Sequence, residues 1–442
     1  MSEALPTDGP PALVRAIGVR GLTLNCLNLM VGASIFVVPA LVAQGLGAAA
    51  IVSYILCAIA MGLVALCFAE AGSRVSETGG AYAYVSTAFG PFAGYLVGTL
   101  LWISNGVLAN ASIAAVFAGT VGTLVPSLSS WFARTGVLLV VYTILAITNI
   151  RGVRTGTRFV EAVTVLKMFP LFLVIVAALV AAPRSNLTWT GMPSPAHLGE
   201  SALLVIFAFS GFEGALTASG EVRNPGRTVP RAIIAASIFV AFLYCAIQLS
   251  AQGILGAELT KYPDAPLAEA VRRVFGPASF VLLLAAAAFS NFGFMGGDIL
   301  ATPRALYAFA NQGYLPRMLG AVHPRFRTPY VSIAVYCTLS ALMAISGTYR
   351  QLALLSVVGT LVIYLSTCLA VLQLRRKGIA GDGPPFRLPG GPTIPLLACG
   401  VIVILFSTAH AAEFEALAGI LVVAAILFMV SSRAKPVRAG PA

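Results

Sequence analysis

Twelve apolar runs of bilayer-spanning length constrain this chain more than any other feature. A helix needs about 20 apolar residues to cross the hydrocarbon layer of a membrane. Inside lipid, only helices and closed barrels satisfy their own backbone hydrogen bonds. We therefore predict an all-α integral membrane protein with twelve transmembrane helices. The runs, numbered here as segments 1 to 12, cover residues 17–41, 46–70, 91–122, 134–150, 159–182, 199–220, 231–254, 277–311, 329–347, 351–374, 393–411 and 415–432.

The composition agrees with a membrane protein. Charged residues make up 10% of the chain and hydrophobic residues 59%, whereas soluble domains are about 25% charged. Residues 1–16 are polar and contain proline, with no cleavage site after a short apolar core, so we expect segment 1 to be the first span. The net charge of +12 does not indicate nucleic-acid binding, because Lys and Arg lie at segment ends.

The basic residues also predict the orientation in the membrane. With a cytoplasmic N-terminus, 20 of the 27 Lys and Arg residues fall on the inside and six on the outside. This asymmetry predicts cytoplasmic termini in a multi-pass protein of the plasma (inner) membrane. On the inner side, we interpret the charged loop at 221–231 first as a topology determinant, with Arg74, Glu77 and Arg151 as candidate partners for salt bridges to it.

Two segments are interrupted by small residues near their middle. Segment 1 carries Gly32, Ala33 and Ser34, and segment 6 carries Ser210 and Gly211. An unwound turn in lipid leaves backbone groups unsatisfied at several kcal/mol each, so it persists only where it lines a polar cavity. A break in each half of the chain indicates a transporter's substrate site.

The spacing of these breaks predicts a repeat. They lie five segments apart, so segments 1–5 and 6–10 would have opposite orientations and form inverted repeats. Segments 11 and 12 would be additional. The predicted divisions are a cytoplasmic tail, the first repeat, the second repeat, the added pair and a second cytoplasmic tail, at residues 1–16, 17–182, 199–374, 393–432 and 433–442.

The turn at Gly32, Ala33 and Ser34 is a candidate anion site. It would offer free amides at the start of a helix, where the helix dipole also favours negative charge. A substrate carboxylate is the expected occupant, and the Ser34 hydroxyl is a further donor. The alternative is a glycine-mediated packing contact between helices, but the matching break in segment 6 favours the carboxylate site.

Several motifs resemble a known family. Residues 31–40 are similar to a helix-1 signature, residues 68–70 and 77–91 to a helix 2–3 loop, residues 209–231 to a helix-6 signature with its following loop, and residues 303–316 to the end of helix 8. These motifs resemble the amino acid–polyamine–organocation superfamily of permeases. The resemblance implies a leucine-transporter type fold with helices 1 and 6 unwound. Ser34 stands where the family usually has a second glycine.

The resemblance also implies roles for segment 6 and for Met30. The carbonyls of Met30, Phe207 and Ser210 would hold the substrate's α-amino group, and Phe207 would be an aromatic gate. Glu213 would take part in proton sensing or gating, because acidic residues inside a membrane usually have a functional role. The alternatives are a core- or lipid-facing phenylalanine and a protonated glutamate bonded between helices.

Lys167 lies about 13 Å into segment 5 at 1.5 Å per residue from Arg158. A lysine at that depth is expected to exchange protons. It resembles the lysine that replaces a sodium ion in proton-coupled relatives, so sodium-independent uptake is expected. The alternative is a permanently charged structural lysine bonded to carbonyls of segment 1.

Asp298 lies deep in segment 8, where the family has its pocket for the substrate side chain. A lone acid there would select a cationic amino acid. The alternatives are pairing with Lys167 or another polar group, or a position nearer the cytoplasmic end. Asn105 and Asn110 of segment 3 are candidates for the same pocket, although such residues often bond across helices.

The leading prediction is a secondary active amino acid transporter that works by alternating access, with segments 1, 2, 6 and 7 rocking against the rest. It would be proton-coupled, with no cofactor and no metal. An exchanger and a polyamine transporter of the same fold are alternatives, and oligomeric state is not predicted. A channel would need repeated filter rings, and an enzyme would need a catalytic constellation. A primary pump would need an ATP-binding motif. The sequence has none of these three features.

Overall fold

A computed structural model provides the structure, which describes Arg15 and residues 17–151, 157–189, 191, 193–381 and 383–434, with backbone alone at 157–163 and 432–434. Over these residues the fold is helical, and its β structure is one isolated parallel bridge between Ile17 and Val222. The tails predicted at 1–16 and 433–442 lie almost wholly outside the described residues.

Eighteen α-helices are present in the described residues, joined by short turns and 3₁₀ helices. A π-helix at Leu101–Leu108 joins α5 to α6. The bounds in chain order are α1 Val19–Met30, α2 Ser34–Leu46, α3 Ala50–Arg74, α4 Ala81–Phe89, α5 Pro91–Leu100, α6 Ala109–Leu124, α7 Trp131–Arg151, α8 Thr157–Ala181, α9 Pro195–Phe209, α10 Phe212–Ala215, α11 Pro225–Leu255, α12 Pro266–Phe275, α13 Pro277–Ala301, α14 Pro303–Asn311, α15 Tyr330–Ser346, α16 Tyr349–Arg376, α17 Thr393–Phe406 and α18 Ala411–Ala434.

Each of segments 1 to 12 is helical in the structure. Segment 1 is divided into α1 and α2, segment 6 into α9 and α10, and segment 8 into α13 and α14. The short helices α4 and α12 lie between predicted segments. Their lengths of nine and ten residues are too small for a span.

Nine helical stretches of the described residues are at least 18 residues long and apolar enough to cross a membrane. Helices α15 and α17 are apolar but shorter. One of the nine, Ser34–Arg74, combines α2 and α3; its 41 residues would extend about 60 Å as a straight helix, twice the hydrocarbon thickness. The chain is thus a multi-pass helical membrane protein, whereas the number of twelve spans and the inverted repeat remain predictions.

Within the described residues, two large hydrophobic clusters make up most of the interior, and a third, small one contains Tyr95, Phe309 and Ala424. The larger is built mainly from α1, α3, α9, α11 and α16, which belong to segments 1, 2, 6, 7 and 10. The smaller is built from α6, α7, α13 and α15, which belong to segments 3, 4, 8 and 9. Met30 and Val31 lie in the first cluster and Ala33 in the second, so the interruption of segment 1 lies on the boundary between them.

Burial differs between the helices. About 72% of the most apolar part of Pro91–Leu124 is buried within the protein, against 6% for Ala411–Ser431. Helix α18 therefore lies at the periphery, where its apolar side chains face lipid. The interrupted helices lie at the centre, where protein rather than lipid surrounds their unpaired backbone groups.

Candidate functional site

The first interruption separates α1 from α2. Helix α1 ends at Met30, residues 31–33 form a bend, and α2 begins at Ser34. The Gly32 amide donates to the Met30 carbonyl at 3.0 Å. A Cβ atom at Gly32 would meet only side-chain atoms of Ile113 and Phe294, at 3.5 Å or more. The bend therefore leaves room for alanine at this glycine.

The second interruption separates α9 from α10. Ser210 is extended, with φ −72° and ψ 168°, and Gly211 has φ 119°. L-residues with a side chain rarely adopt that φ value. A Cβ atom at Gly211 would lie 2.4 Å from the Leu29 carbonyl oxygen. Position 211 therefore requires glycine for two reasons, and the two interruptions are in main-chain contact.

The carbonyls at the end of α1 have partners from other helices. Lys167, which is 3% exposed, donates from Nζ to the carbonyl oxygens of Asn28 at 2.5 Å and Val31 at 2.8 Å. The Tyr244 hydroxyl donates to the Met30 carbonyl at 2.8 Å. The last carbonyls of a helix have no intrahelical partner and carry its negative dipole end. Lys167 therefore caps α1 with positive charge.

This arrangement bears on the predicted role of Met30. Its carbonyl oxygen accepts hydrogen bonds from both Gly32 and Tyr244. A carbonyl has two lone pairs, so both are used in this state. A substrate ammonium would have to displace one of these donors to bind Met30.

The start of α2 differs from the end of α1. Its first turn, from Ser34 to Val37, carries no acidic side chain, and the first amides of a helix have no intrahelical partner. The turn is buried, with Ser34 5% exposed and Ala33 fully buried. The positive end of α2 therefore lies inside the protein beside a serine hydroxyl, a chemistry suited to an anion.

Glu213 joins three helical elements at the second interruption. Its carboxylate, 1% exposed, accepts two bonds from the Gly211 amide, at 3.1 and 3.0 Å. The Asn105 amide donates to it at 2.6 Å and the Tyr364 hydroxyl at 3.0 Å. Asn105 in turn accepts a bond from Thr360. Glu213 thus ties the break in segment 6 to the π-helix and to α16.

Asp298 belongs to a separate network. Its carboxylate accepts hydrogen bonds from Asn110 at 2.7 Å, from Thr302 at 2.6 Å and from Tyr336. Asn110 also accepts a bond from Tyr142 at 2.9 Å. These residues lie on α6, α7, α13 and α15 or just after α13, so the network joins helices of the smaller cluster. The structure therefore separates Asn105, which bonds Glu213, from Asn110, which bonds Asp298.

At the end of the protein predicted to be outside, a cavity of about 250 Å³ lies above the first interruption. It reaches the surface, because the exposed residues Asp264 and Arg350 line it. Tyr349 also lines it and packs against Phe207, with ring centroids 6.1 Å apart. The other lining residues are Val37, Leu41, Ala115, Val116, Gly119, Arg134, Pro263 and Thr348.

At the end predicted to be inside, a cluster of charges joins α3 to α16. Glu70 is fully buried and accepts bonds from Arg74 at 2.8 and 2.9 Å and from Arg375 at 2.5 and 2.7 Å. The Leu388 amide donates to it as well, at 3.0 Å. The salt bridge of Arg74 is thus to Glu70, on its own helix, rather than to the loop at 221–231. Side chains four residues apart on a helix are already neighbours, so this pair forms without bringing distant segments together.

Three tyrosines of this region were not predicted as site residues from the sequence. Tyr244, Tyr349 and Tyr364 lie in segments 7 and 10 or at their edges, far along the chain from the residues they contact. For Tyr244 and Tyr364 the signal in the sequence is a hydroxyl within an apolar run, whereas Tyr349, between Thr348 and Arg350, gives no such signal. Among the described residues, no group of three or more Cys, His, Asp or Glu side chains is placed to hold a metal ion.

Comparisons with known proteins agree with this architecture. Residues 17–431 match a family model described as amino acid permease. The serine/threonine exchanger SteT of Bacillus subtilis (strain 168) is 27% identical over 90% of this chain and 91% of its own. From the same organism, the methylthioribose transporter is 29% identical over 88% of this chain and 87% of its own. The branched-chain amino acid permease BcaP is 26% identical over 89% of this chain and 87% of its own.

Proposed function

The chain belongs to the amino acid permease family, and from that premise we propose that it is a secondary active transporter that moves an α-amino acid across the plasma membrane. The observation that carries the proposal is the main-chain contact between two buried helix interruptions, Gly211 against Leu29. Interrupted helices place amides and carbonyls, which bind carboxylate and ammonium groups, at one point in the membrane.

In this proposal the substrate carboxylate binds the α2 amides at the turn formed by Gly32, Ala33 and Ser34. The substrate ammonium binds the last carbonyls of α9, near Phe207 and Ser210. The Phe207 carbonyl now accepts from the Ser210 hydroxyl at 2.7 Å and from the Ser210 amide at 3.3 Å, and rotation of the hydroxyl would free one lone pair for the substrate. Met30 contributes its carbonyl once Tyr244 withdraws.

Alternating access follows from the two hydrophobic clusters. Most buried apolar side chains of segments 1, 2, 6 and 7 lie in the larger cluster, together with those of α16, whereas the smaller cluster holds segments 4 and 9 and parts of segments 3 and 8. The substrate site lies on the boundary between the clusters, so rocking of segments 1, 2, 6 and 7 against the rest would expose it to each side in turn. The cavity on one side and the Glu70 cluster on the other support an outward-facing state with its inner end closed.

Lys167 is the proposed coupling residue. Its ammonium lies where it satisfies the Asn28 and Val31 carbonyls, oxygen ligands that a sodium ion would otherwise use. Uptake is therefore proposed to be proton-coupled and independent of sodium. Glu213 is the proposed gating acid, because its carboxylate links the segment 6 break to α16.

A cationic preference is the second candidate, and it rests on Asp298 alone. The three bonds that this carboxylate accepts come from neighbouring side chains, so it would have to release one of them to bind a substrate. A neutral amino acid requires no such change. Two alternatives remain for a protein of this fold. It could exchange amino acids instead of carrying them with protons, or it could transport polyamines.

The proposed topology follows the charge asymmetry. Both termini are cytoplasmic, residues 17–182 and 199–374 are inverted repeats, and residues 393–432 form the added helix pair. Cysteine labelling from one side of sealed vesicles tests it: a cysteine replacing Arg134 should react from outside and one replacing Arg317 from inside. Reaction from the reverse sides would overturn the orientation.

The function is tested with purified protein in proteoliposomes. Uptake of each standard amino acid is measured with and without an inward proton gradient and with sodium replaced by choline. Saturable uptake of one or more amino acids, stimulated by the proton gradient alone, supports the proposal. Counterflow without net uptake would indicate an exchanger. Uptake of methylthioribose or putrescine but of no amino acid would overturn the proposal.

A further inference from the structure

Tyr349 stands between the outer cavity and the first interruption. It is the first residue of α16, lines the cavity, and packs its ring against Phe207 of α9. It also packs against both hydrophobic clusters. Its ring therefore contacts elements on the two sides of the boundary along which the proposed motion takes place.

The hydroxyl of Tyr349 is buried beside the Ser34 hydroxyl, which is placed to donate to the tyrosine oxygen, and among the described residues no acceptor lies within hydrogen-bond distance of the tyrosine's own proton. Leaving a buried polar group unpaired costs roughly 1–3 kcal/mol. Such groups in native structures usually bond to a water or to a ligand. The hydroxyl thus has a free donor beside the positive end of α2.

We propose that Tyr349 is a substrate-binding residue. Its hydroxyl donates a hydrogen bond to the substrate carboxylate held at the Ser34 turn, and its ring, with that of Phe207, closes the outer cavity above the substrate. This inference rests on the proposed function, because the ligand is the same α-amino acid.

The chemistry of the surroundings favours a carboxylate as the partner. The side chains of Val37, Leu41 and Val116, which line the cavity with Tyr349, offer no acceptor, and the carboxylate in the lining belongs to the exposed residue Asp264. The α2 amides only donate and the Ser34 hydroxyl can donate or accept, whereas a carboxylate is an acceptor with about four lone-pair sites. One carboxylate can therefore bond the α2 amides, the serine and the tyrosine together.

The closing role is tested by labelling, which requires no knowledge of the substrate. A cysteine replaces Ser34 below the rings or Val37 in the cavity, and the rate of modification by a membrane-impermeant cationic methanethiosulfonate is followed at that peptide by mass spectrometry. Tyr349→Ala should accelerate labelling in S34C at least about tenfold and leave labelling in V37C unchanged. An unchanged rate in S34C, or no labelling in V37C, would overturn the closing role.

The hydroxyl's role is tested with Tyr349→Phe, which keeps the ring. For the amino acid taken up best in proteoliposomes, KM should rise about tenfold, the loss expected for one hydrogen bond to a charged group. Tyr330→Phe, at an exposed tyrosine that begins α15, is the control and should keep the wild-type KM. An unchanged KM in Y349F would overturn the binding role. If no amino acid is taken up, the proposed function fails, whereas the labelling rates still decide whether the rings close the cavity.

Discussion

Gly211 lies so close to Leu29 that a Cβ atom added to the glycine would be 2.4 Å from the leucine's carbonyl oxygen. This contact joins the two helix interruptions through their main chains. It places the ends of four helical pieces together in the interior of a membrane protein.

The two glycines at the interruptions should respond differently to alanine. Gly211→Ala should cost roughly 3 kcal/mol or more and abolish uptake, since it combines a left-handed backbone with a main-chain clash. Gly32→Ala should fold normally, because its Cβ would make only ordinary contacts. Thermal unfolding in detergent and uptake in proteoliposomes measure both. Equal losses of stability in the two variants would contradict the account.

Replacing Lys167 should remove the response of uptake to pH. Lys167→Gln keeps a hydrogen-bond donor for Asn28 or Val31 but carries no titratable group. We expect the variant to fold and its initial rate of uptake to be independent of pH. Uptake by the wild type should not require sodium. Initial rates across a pH series, with sodium or choline as the cation, provide the measurement. A wild-type profile in the variant would show that another group couples protons.

Glu213 and Tyr364 should be energetically coupled. Their hydrogen bond is 3.0 Å long and buried, and contacting residues in one network show interaction energies of about 0.5–3 kcal/mol. A double-mutant cycle with Glu213→Gln and Tyr364→Phe, followed by unfolding, should give a coupling within that range. Additive effects of the two substitutions would mean that the bond contributes nothing to this state.

The charge cluster at the predicted inner end should contribute strongly to stability. Glu70→Gln leaves Arg74, which is 5% exposed, without its carboxylate, and breaking such a buried pair typically costs about 3–5 kcal/mol. It should also increase labelling of the substrate site from the inner side. Glu258→Gln is the control, because that pair with Lys261 is exposed and such pairs contribute little. Comparable stability in the two variants would argue against an inner closure.

Asp298→Asn separates the two substrate candidates. If Asp298 only joins helices, the variant should lose stability while the ranking of amino acids by uptake stays the same. If it binds a cationic side chain, uptake of lysine and arginine should fall selectively. A competition panel of labelled amino acids gives the ranking, and thermal unfolding gives the stability.

The helices were largely predictable from the sequence. Apolar length determines a membrane helix almost alone, so all twelve segments are helical within a few residues of the predicted bounds at most ends. The interruptions were predictable as well, because Gly32 and Gly211 place small residues where a spanning helix is normally continuous. The short helices α4 and α12 were not predicted, since neither has the length of a span.

The side-chain networks were less predictable because they depend on contacts between distant segments. Asn105 and Asn110 are five residues apart and were assigned to one pocket, yet they bond different acids, Glu213 and Asp298. Tyr244 reaches Met30 across 214 positions. Composition and local spacing carry no information on which helices are neighbours, so such pairings emerge only from the fold.

The central claim is that the paired interruptions bind a zwitterion through both of its charged groups. The most direct test measures inhibition of uptake by the transported amino acid, by its decarboxylated amine and by its N-acetylated derivative. We predict that both derivatives inhibit at least roughly a hundredfold more weakly, since each loses charge-assisted hydrogen bonds. Inhibition by either derivative as strong as that by the parent amino acid would contradict the claim.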